Sequence, residues 1–155
     1  MIIRAATPDD TGAITAIWNH YITHTIATFN AVEKTEDDVR ALIGAQPFFI
    51  AKDTVAIQGF ATYGDFRKGV GYGKTAEHSV FMAQGAQGQG RPLMHAIEAH
   101  AKSAGIHSLF AGVTAQNTHA VTFHQKIGYE QVACLKQVGW KFERWHDLIL
   151  MQKFL

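Results

Sequence analysis

The chain has 155 residues, of which 47% are hydrophobic, 11% aromatic and 17% charged. A chain of this length and apolar content can bury a core without disulfides or metal, which excludes a disordered protein. Lys and Arg number 14 against 13 Asp and Glu, a net charge of +1, so a nucleic-acid binder that relies on a basic surface is also excluded. We expect one domain over residues 1–155.

The cellular location is read from the cysteine count and the apolar runs. Cys134 is the only cysteine, which fits a reducing compartment, and its apolar neighbours predict a small buried side chain. The first apolar run stops at Asp9, too early for a signal peptide. No run reaches the roughly 20 residues of a membrane span. We therefore expect a soluble cytoplasmic protein without a membrane partner.

Apolar periodicity predicts elements in the order β-α-α-β-β-β-α-β-α-β-β. Thr7 and Pro8 are typical of a helix start, and apolar residues at helical spacing extend that helix to Ile22. The β-branched residues 25–29 predict an extended segment. Further helices are expected over 35–44, 93–101 and 120–127, and strands over 2–4, 48–52, 57–63, 75–82, 109–113, 130–138 and 148–154. This order favours an α/β mixed sheet with helices on its faces.

A carboxylate and an imidazole occupy the strand predicted over 75–82. Alternation places Glu77 and His78 on opposite faces of the strand. In a partly apolar cleft, desolvation would raise the pKa of Glu77 into the range useful for a general base. The alternative is a strand end with two half-exposed polar residues.

Two candidate binding elements follow that strand. The glycine-rich stretch 84–90 precedes a helix, an arrangement in which backbone N–H groups can hold a pyrophosphate, although a plain flexible turn is an equally good interpretation. Asn117 either caps the next helix or contacts a ligand. His124 lies two helical turns further on the same face of that helix. Its role is either structural or catalytic.

The stretch 137–147 interleaves cations with aromatic residues. It could hold a small anionic ligand, form an interface, or be an amphipathic hairpin. His20 and His24 have the i, i+4 spacing of metal ligands, but no third ligand is obvious. We therefore expect no metal.

Together and in order, these stretches resemble the GNAT superfamily of acetyl-CoA-dependent N-acyltransferases, and within it the phosphinothricin / L-methionine sulfoximine acetyltransferase family. The resemblance is carried by the segments 19–20, 28–29, 63–67, 77–80 and 138–147, with Asn117 and His124. It implies a central, mostly antiparallel sheet of about seven strands flanked by about four helices. Two parallel central strands would splay to form the acyl-CoA cleft.

The resemblance also implies residue roles. Glu77 would be the general base, and His124 would protonate the leaving thiolate or bind the cofactor. Acetyl-CoA would be held by Val80, Phe81, Met82, Gln87, Gly88, Gln89, Gly90, Asn117 and His124. The small amine substrate would be bound by Thr28, Phe29, Arg67, Lys74 and Lys141. A homodimer is implied as well, and the alternative function is a noncatalytic acyl-CoA-binding sensor of the same fold.

One departure from the family pattern concerns the glycine-rich turn. The superfamily pattern Gln/Arg-x-x-Gly-x-Gly/Ala is shortened by about two residues. In one alignment Pro92 stands where the last Gly or Ala belongs; in the other, with the gap before the turn, Gly88 and Gly90 match and Gly85 replaces the leading Gln or Arg. Because proline has no N–H, one donor to the phosphates would be missing, and weaker acetyl-CoA binding is expected.

Overall fold

A computed structural model describes residues 1–86 and 88–155. The strands are β1 Ile2–Ala5, β2 Phe48–Lys52, β3 Ile57–Asp65, β4 Thr75–Met82, β5 Ser108–Thr114, β6 Glu130–Lys141 and β7 Arg144–Phe154. The α-helices are α1 Thr11–His24, α2 Glu36–Ala45, α3 Gly90–Ser103 and α4 Thr118–Lys126. The predicted element order is therefore confirmed.

All strands join one seven-stranded sheet in the order β1-β2-β3-β4-β5-β7-β6. Only the central β4–β5 pair is parallel, and the other pairs are antiparallel. Strand alternation divides the core between the two faces. Leu93, Met94 and Ile97 of α3 pack on one face, whereas Ile14 of α1 and Val39 of α2 pack on the other. The predicted mixed sheet with helices on both faces is confirmed.

The first helix begins later than predicted. Thr7 and Pro8 open a short 3-10 turn over Pro8–Asp10, and the α-helix starts only at Thr11. The buried Asp10 carboxylate causes this, because it accepts two hydrogen bonds from the Arg4 guanidinium, at 2.8 and 2.9 Å, and a third from the Thr7 backbone N–H. These contacts attach the turn to β1.

Two local predictions were wrong. Residues 26–28 form bends, so the segment 25–29 is not continuously extended, and its backbone carbonyls accept hydrogen bonds from side chains of the sheet. Cys134 is exposed rather than buried, because it lies on β6, the last strand of the sheet. Among the described residues, no helix is long and apolar enough to cross a membrane.

Candidate active site

The central parallel pair opens into a cleft. β4 and β5 pair from Thr75↔Ser108 to His78↔Ala111 and no further. β4 nevertheless stays paired with β3 up to Met82, and β5 with β7 up to Thr114. The strands therefore splay, and a cavity of about 870 Å³ lies at the opening. Val80, Phe81, Met82, Gly88, Gly90, Asn117 and His124, all predicted to bind the cofactor, line this cavity.

Glu77 lies where the two strands begin to separate. Burial raises the pKa of its carboxyl group, and no hydrogen bond or ion pair to it is found within residues 1–86 and 88–155. Gly112 lies beside it: a Cβ there would be 3.4 Å from Glu77 Oε2, an ordinary van der Waals contact. A desolvated carboxylate with free oxygens in an open cavity is suited to accept a proton.

His78 points to the opposite face of β4, as alternation predicts, and stacks on His124 with ring centroids 5.1 Å apart. Neither ring nitrogen of His78 has a partner within the described chain, and burial lowers the pKa of His78 to about 3. His124 Nδ1 lies 2.7 Å from the Ala120 carbonyl oxygen and donates to it, since a carbonyl only accepts. In the neutral ring His124 Nε2 is therefore a proton acceptor. Burial also lowers the pKa of His124.

The glycine-rich turn leads into α3 at one end of the cavity. Gly85 and Gly88 both have φ of +78°, a conformation that side-chain-bearing residues rarely adopt. Pro92 lies in the first turn of α3, where a backbone N–H has no intrahelical acceptor, so the helix loses no hydrogen bond. Gln87, predicted to bind the cofactor, lies outside the described residues. The Asn117 side chain accepts from the Ala120 N–H at 3.1 Å and caps α4.

Residues 25–29 form another wall of the cavity. Thr28 and Phe29, both predicted to bind substrate, line the cavity. Lys141 does not line it: the side chain is 3% exposed, and its Nζ donates to the carbonyl oxygens of Thr25 and Thr28. Lys141 therefore lies behind this wall.

The two remaining predicted substrate residues, Arg67 and Lys74, are exposed on the β3–β4 connection and line neither cavity that the structure describes. Sequence reasoning did not single out Phe66, whose ring stacks on Phe110 with centroids 4.5 Å apart. Phe110 is the β5 register partner of Glu77. Phe66 thus holds the connection beside the candidate base.

Sequence reasoning also missed Tyr21 and a second cavity. Tyr21 lines the main cavity, and its hydroxyl donates to the Met82 carbonyl oxygen at 2.7 Å. In the sequence, Tyr21 is one of the apolar residues that recur at helical spacing in α1, and this pattern indicated only a core residue. The second cavity, of about 340 Å³, shares Glu77 and Ser79 with the first. Glu77 is therefore accessible from two sides.

The His20 and His24 rings stack with centroids 5.0 Å apart. Over the part of the chain that the structure describes, no group of three or more potential metal-ligating side chains is present.

The chain is similar to known proteins over nearly its whole length. The acetyltransferase (GNAT) domain family matches residues 3–150. The chain is 36% identical to the L-methionine sulfoximine/L-methionine sulfone acetyltransferase of Salmonella typhimurium, over 98% of this chain and 93% of that protein. It is 33% identical to the phosphinothricin N-acetyltransferase of Alcaligenes faecalis, over 97% and 81% of the two chains.

A solved structure is similar over the whole chain. The yncA protein of Salmonella typhimurium, solved with its cofactor acetyl-CoA, superimposes with a TM-score of 0.96 at 35% identity. The match covers 100% of this chain and 94% of that one.

Proposed function

Since the chain belongs to the GNAT acetyltransferase family and is an acetyl-CoA-dependent N-acetyltransferase, we propose that its acceptor is the amine of a small amino-acid-like molecule. Methionine sulfoximine, methionine sulfone and phosphinothricin are the acceptor types suggested by the names of its relatives. The observation that carries the proposal is the partly buried Glu77 carboxylate at the opening of the β4–β5 cleft, which has no hydrogen-bond or ion-pair partner among the described residues.

Glu77 acts as the general base in this proposal. An amine is mostly protonated near neutral pH and cannot attack a thioester until it loses a proton. The Glu77 carboxylate accepts that proton, directly or through a water. The nitrogen lone pair then attacks the thioester carbonyl carbon, and the carbon–sulfur bond breaks to release the CoA thiolate. General-base help of this kind contributes about 10²–10⁴ in rate.

The cofactor side of the cleft is formed by β4 and the turn before α3. Gly88 and Gly90 present backbone without side chains, which suits close approach of a pyrophosphate to the helix N-terminus. We assign the pantetheine arm to the backbone of Val80, Phe81 and Met82, and the phosphates to residues 87–90. Asn117 lies beside the same cavity. Acetyl-CoA, when bound, supplies the activated acetyl group.

His124 is assigned to cofactor contact rather than to acid catalysis. Its Nδ1 proton is used in the bond to Ala120, and burial favours the neutral ring. A neutral ring in this tautomer cannot donate a proton from Nε2 to a leaving thiolate. The thiolate is a good leaving group and takes its proton from solvent.

The acceptor is proposed to lie between the wall at Thr28 and Phe29 and the β3–β4 connection. Arg67 is the candidate for its carboxylate, because a guanidinium binds a carboxylate through two parallel hydrogen bonds. Lys74 adds a second positive charge on the same connection. The stacking of Phe66 on Phe110 supports this assignment, since it keeps the connection next to Glu77.

An acetylation screen over amino-acid analogues, followed by CoA release, tests the function. We expect kcat with the best acceptor to fall about 10²–10⁴-fold in Glu77→Gln. Glu130→Gln, at an exposed position of β6, is the matched control and should keep wild-type activity. Full kcat/KM in Glu77→Gln across the pH range would refute the base assignment. Calorimetric binding of acetyl-CoA without CoA release to any amine would instead favour the sensor function.

We also propose a homodimer formed through β6 and the hairpin that joins it to β7. β6 is an edge strand, and nine of its twelve residues are exposed. Its exposed side chains include Leu135, Val138 and Trp140, and Trp145 faces solvent on β7. An apolar edge strand of this kind is suited to bury against a second copy. Light scattering should give twice the chain mass, and a monomeric mass at micromolar concentration would contradict the proposal. Location in the cytoplasm stays a prediction.

A further inference from the structure

The wall formed by residues 25–29 is held in place by side chains from distant strands. Lys141 Nζ, at the end of β6, donates to the Thr25 carbonyl oxygen at 2.6 Å and to the Thr28 carbonyl oxygen at 2.8 Å. Thr114, at the end of β5, donates its hydroxyl to the Ile26 carbonyl oxygen. The segment has no strand partner of its own, so these bonds determine where its backbone runs.

Lys141 is an unusual residue for this task. It is 3% exposed, and no carboxylate lies within ion-pair distance of its ammonium group in the described part of the chain. Lysine is rarely buried without a charged partner, because desolvation of the ammonium is costly. Here two backbone carbonyl oxygens and the face of the Phe142 ring, 5.3 Å from Nζ, surround the charge. Its contacts are therefore almost wholly directed to the wall.

Phe29 makes a second attachment between the wall and the hairpin. Its ring stacks on His146 with centroids 5.6 Å apart and covers Gly139, where a Cβ would overlap the ring. His146 in turn lies with Nε2 2.9 Å from the Lys141 carbonyl oxygen. The β6–β7 hairpin thus provides both the polar and the apolar support of the same wall.

We propose that Lys141 is a positioning residue for the acceptor amine, which it orients through the backbone of Thr25 and Thr28 without touching it. The proposal rests on the acceptor site described above and replaces the direct substrate contact expected from the sequence. Thr28 and Phe29 line the cavity, and Lys141 does not. When the ammonium is removed, the two carbonyl oxygens lose their donors and the wall loosens, so that Thr28 and Phe29 bind the amine less tightly.

The effect should fall on the acceptor and spare the cofactor. The described residues assigned to acetyl-CoA lie on β4, in the glycine-rich turn and at or within α4, whereas the Lys141 ammonium group contacts Thr25, Thr28 and Phe142. A displaced wall weakens the ground-state and transition-state binding of the amine alike, which raises KM and leaves kcat nearly unchanged. A purely structural role would lower the fraction of folded enzyme, and so would reduce kcat and leave KM unchanged.

The test compares Lys141→Met, Lys141→Arg and the control Lys136→Met with wild type, using the best acceptor from the screen. Lys136 is on the same strand and is exposed. In Lys141→Met we expect the acceptor KM to rise about tenfold to a hundredfold, with kcat and the calorimetric Kd for acetyl-CoA within about twofold of wild type. Lys141→Arg, which keeps the charge, should recover part of the loss, and Lys136→Met should behave as wild type. An unchanged acceptor KM, or an equal rise in the Kd for acetyl-CoA, would overturn the proposal.

Two further measurements keep the outcome decisive. Thr114→Val removes only the hydroxyl bond to Ile26, so it should raise the acceptor KM in the same direction even where Lys141→Met fails to fold. Hydrogen exchange of the backbone amides over 26–30 should become faster in Lys141→Met, and unchanged exchange would refute the positioning role. Because exchange needs no acceptor, it separates failure of this inference from failure of the proposed acceptor class.

Discussion

His78 should make the stability of the protein sensitive to acid. Both of its ring nitrogens are buried without a partner in the described structure, and burial lowers its pKa from 6.5 to about 3. Unfolding returns the ring to water, where it binds a proton below about pH 6.5. In the folded state, the His78 ring binds that proton only below about pH 3. The free energy of unfolding therefore decreases as pH falls through this window and is largest above it.

The magnitude follows from the width of the window. A proton bound only by the unfolded state changes the free energy of unfolding by about 1.4 kcal/mol per pH unit. Between about pH 6.5 and about pH 5, protonation of His78 in the unfolded state should therefore lower the free energy of unfolding by about 2 kcal/mol. Urea unfolding at about pH 7.5 and about pH 5 measures this as a shift in midpoint of roughly 1 M, for a urea slope near 2 kcal/mol per molar.

The variant His78→Phe isolates the effect. The phenyl ring fills the same space between His124 and Tyr129 but cannot be protonated. Over the same pH change, the free energy of unfolding of the variant should therefore fall by about 2 kcal/mol less than that of wild type. Part of the acid sensitivity should remain, because burial also lowers the pKa of His124. Any steric cost of the new ring is present at both pH values and cancels. His95→Phe, at an exposed site of α3, is the control. Equal losses in wild type and His78→Phe would refute the reasoning.

Three further substitutions test how the fold is held together. Gly139→Ala should lower the free energy of unfolding by about 1–3 kcal/mol in urea melts, because its Cβ overlaps the Phe29 ring; wild-type stability would contradict that overlap. Asp10→Asn should cost about 2 kcal/mol near neutral pH through weaker bonds from Arg4. Those bonds lower the pKa of Asp10. The difference in the free energy of unfolding between wild type and Asp10→Asn should therefore shrink as pH falls through that pKa, and a constant difference would refute this reasoning. Thr35→Ala should lower the thermal midpoint by removing the α2 cap at the Asp38 N–H, a cost of about 1 kcal/mol, and an unchanged midpoint would show that the cap is not stabilising.

Local patterns predicted most elements because the residues themselves carry the signal. Period-two alternation gave β4 its correct ends and placed Glu77 and His78 on opposite faces, as the structure has them. The errors lie where tertiary contacts decide. The burial of Cys134 depends on whether β6 is an edge strand, which is a property of the topology and cannot be read from its apolar neighbours.

The hairpin shows a second limit. β6 and β7 extend beyond the predicted ends and meet at the two-residue turn of Phe142 and Glu143, with φ of +54° and +60°. Such a turn normally contains Asn or Gly, so the usual sequence signal is missing. Without the turn, the burial of Lys141 behind residues 25–29 could not be foreseen. The sequence therefore identified this lysine as part of the site but not its place in it.

The splay of β4 from β5 gives a physical reason for the cofactor assignment. The N–H and C=O groups of a central strand are normally paired on both sides, and an unpaired group away from water is costly. Beyond His78, β4 has a ladder partner in β3 but none in β5. Apart from the Met82 carbonyl oxygen, which accepts from the Tyr21 hydroxyl, the backbone groups of residues 79–82 that face the cleft therefore need another partner. A ligand with amide groups along an extended arm, as in pantetheine, would provide one. If the amides of this segment exchange no more slowly with acetyl-CoA bound than without it, the assignment of the pantetheine arm to β4 is refuted.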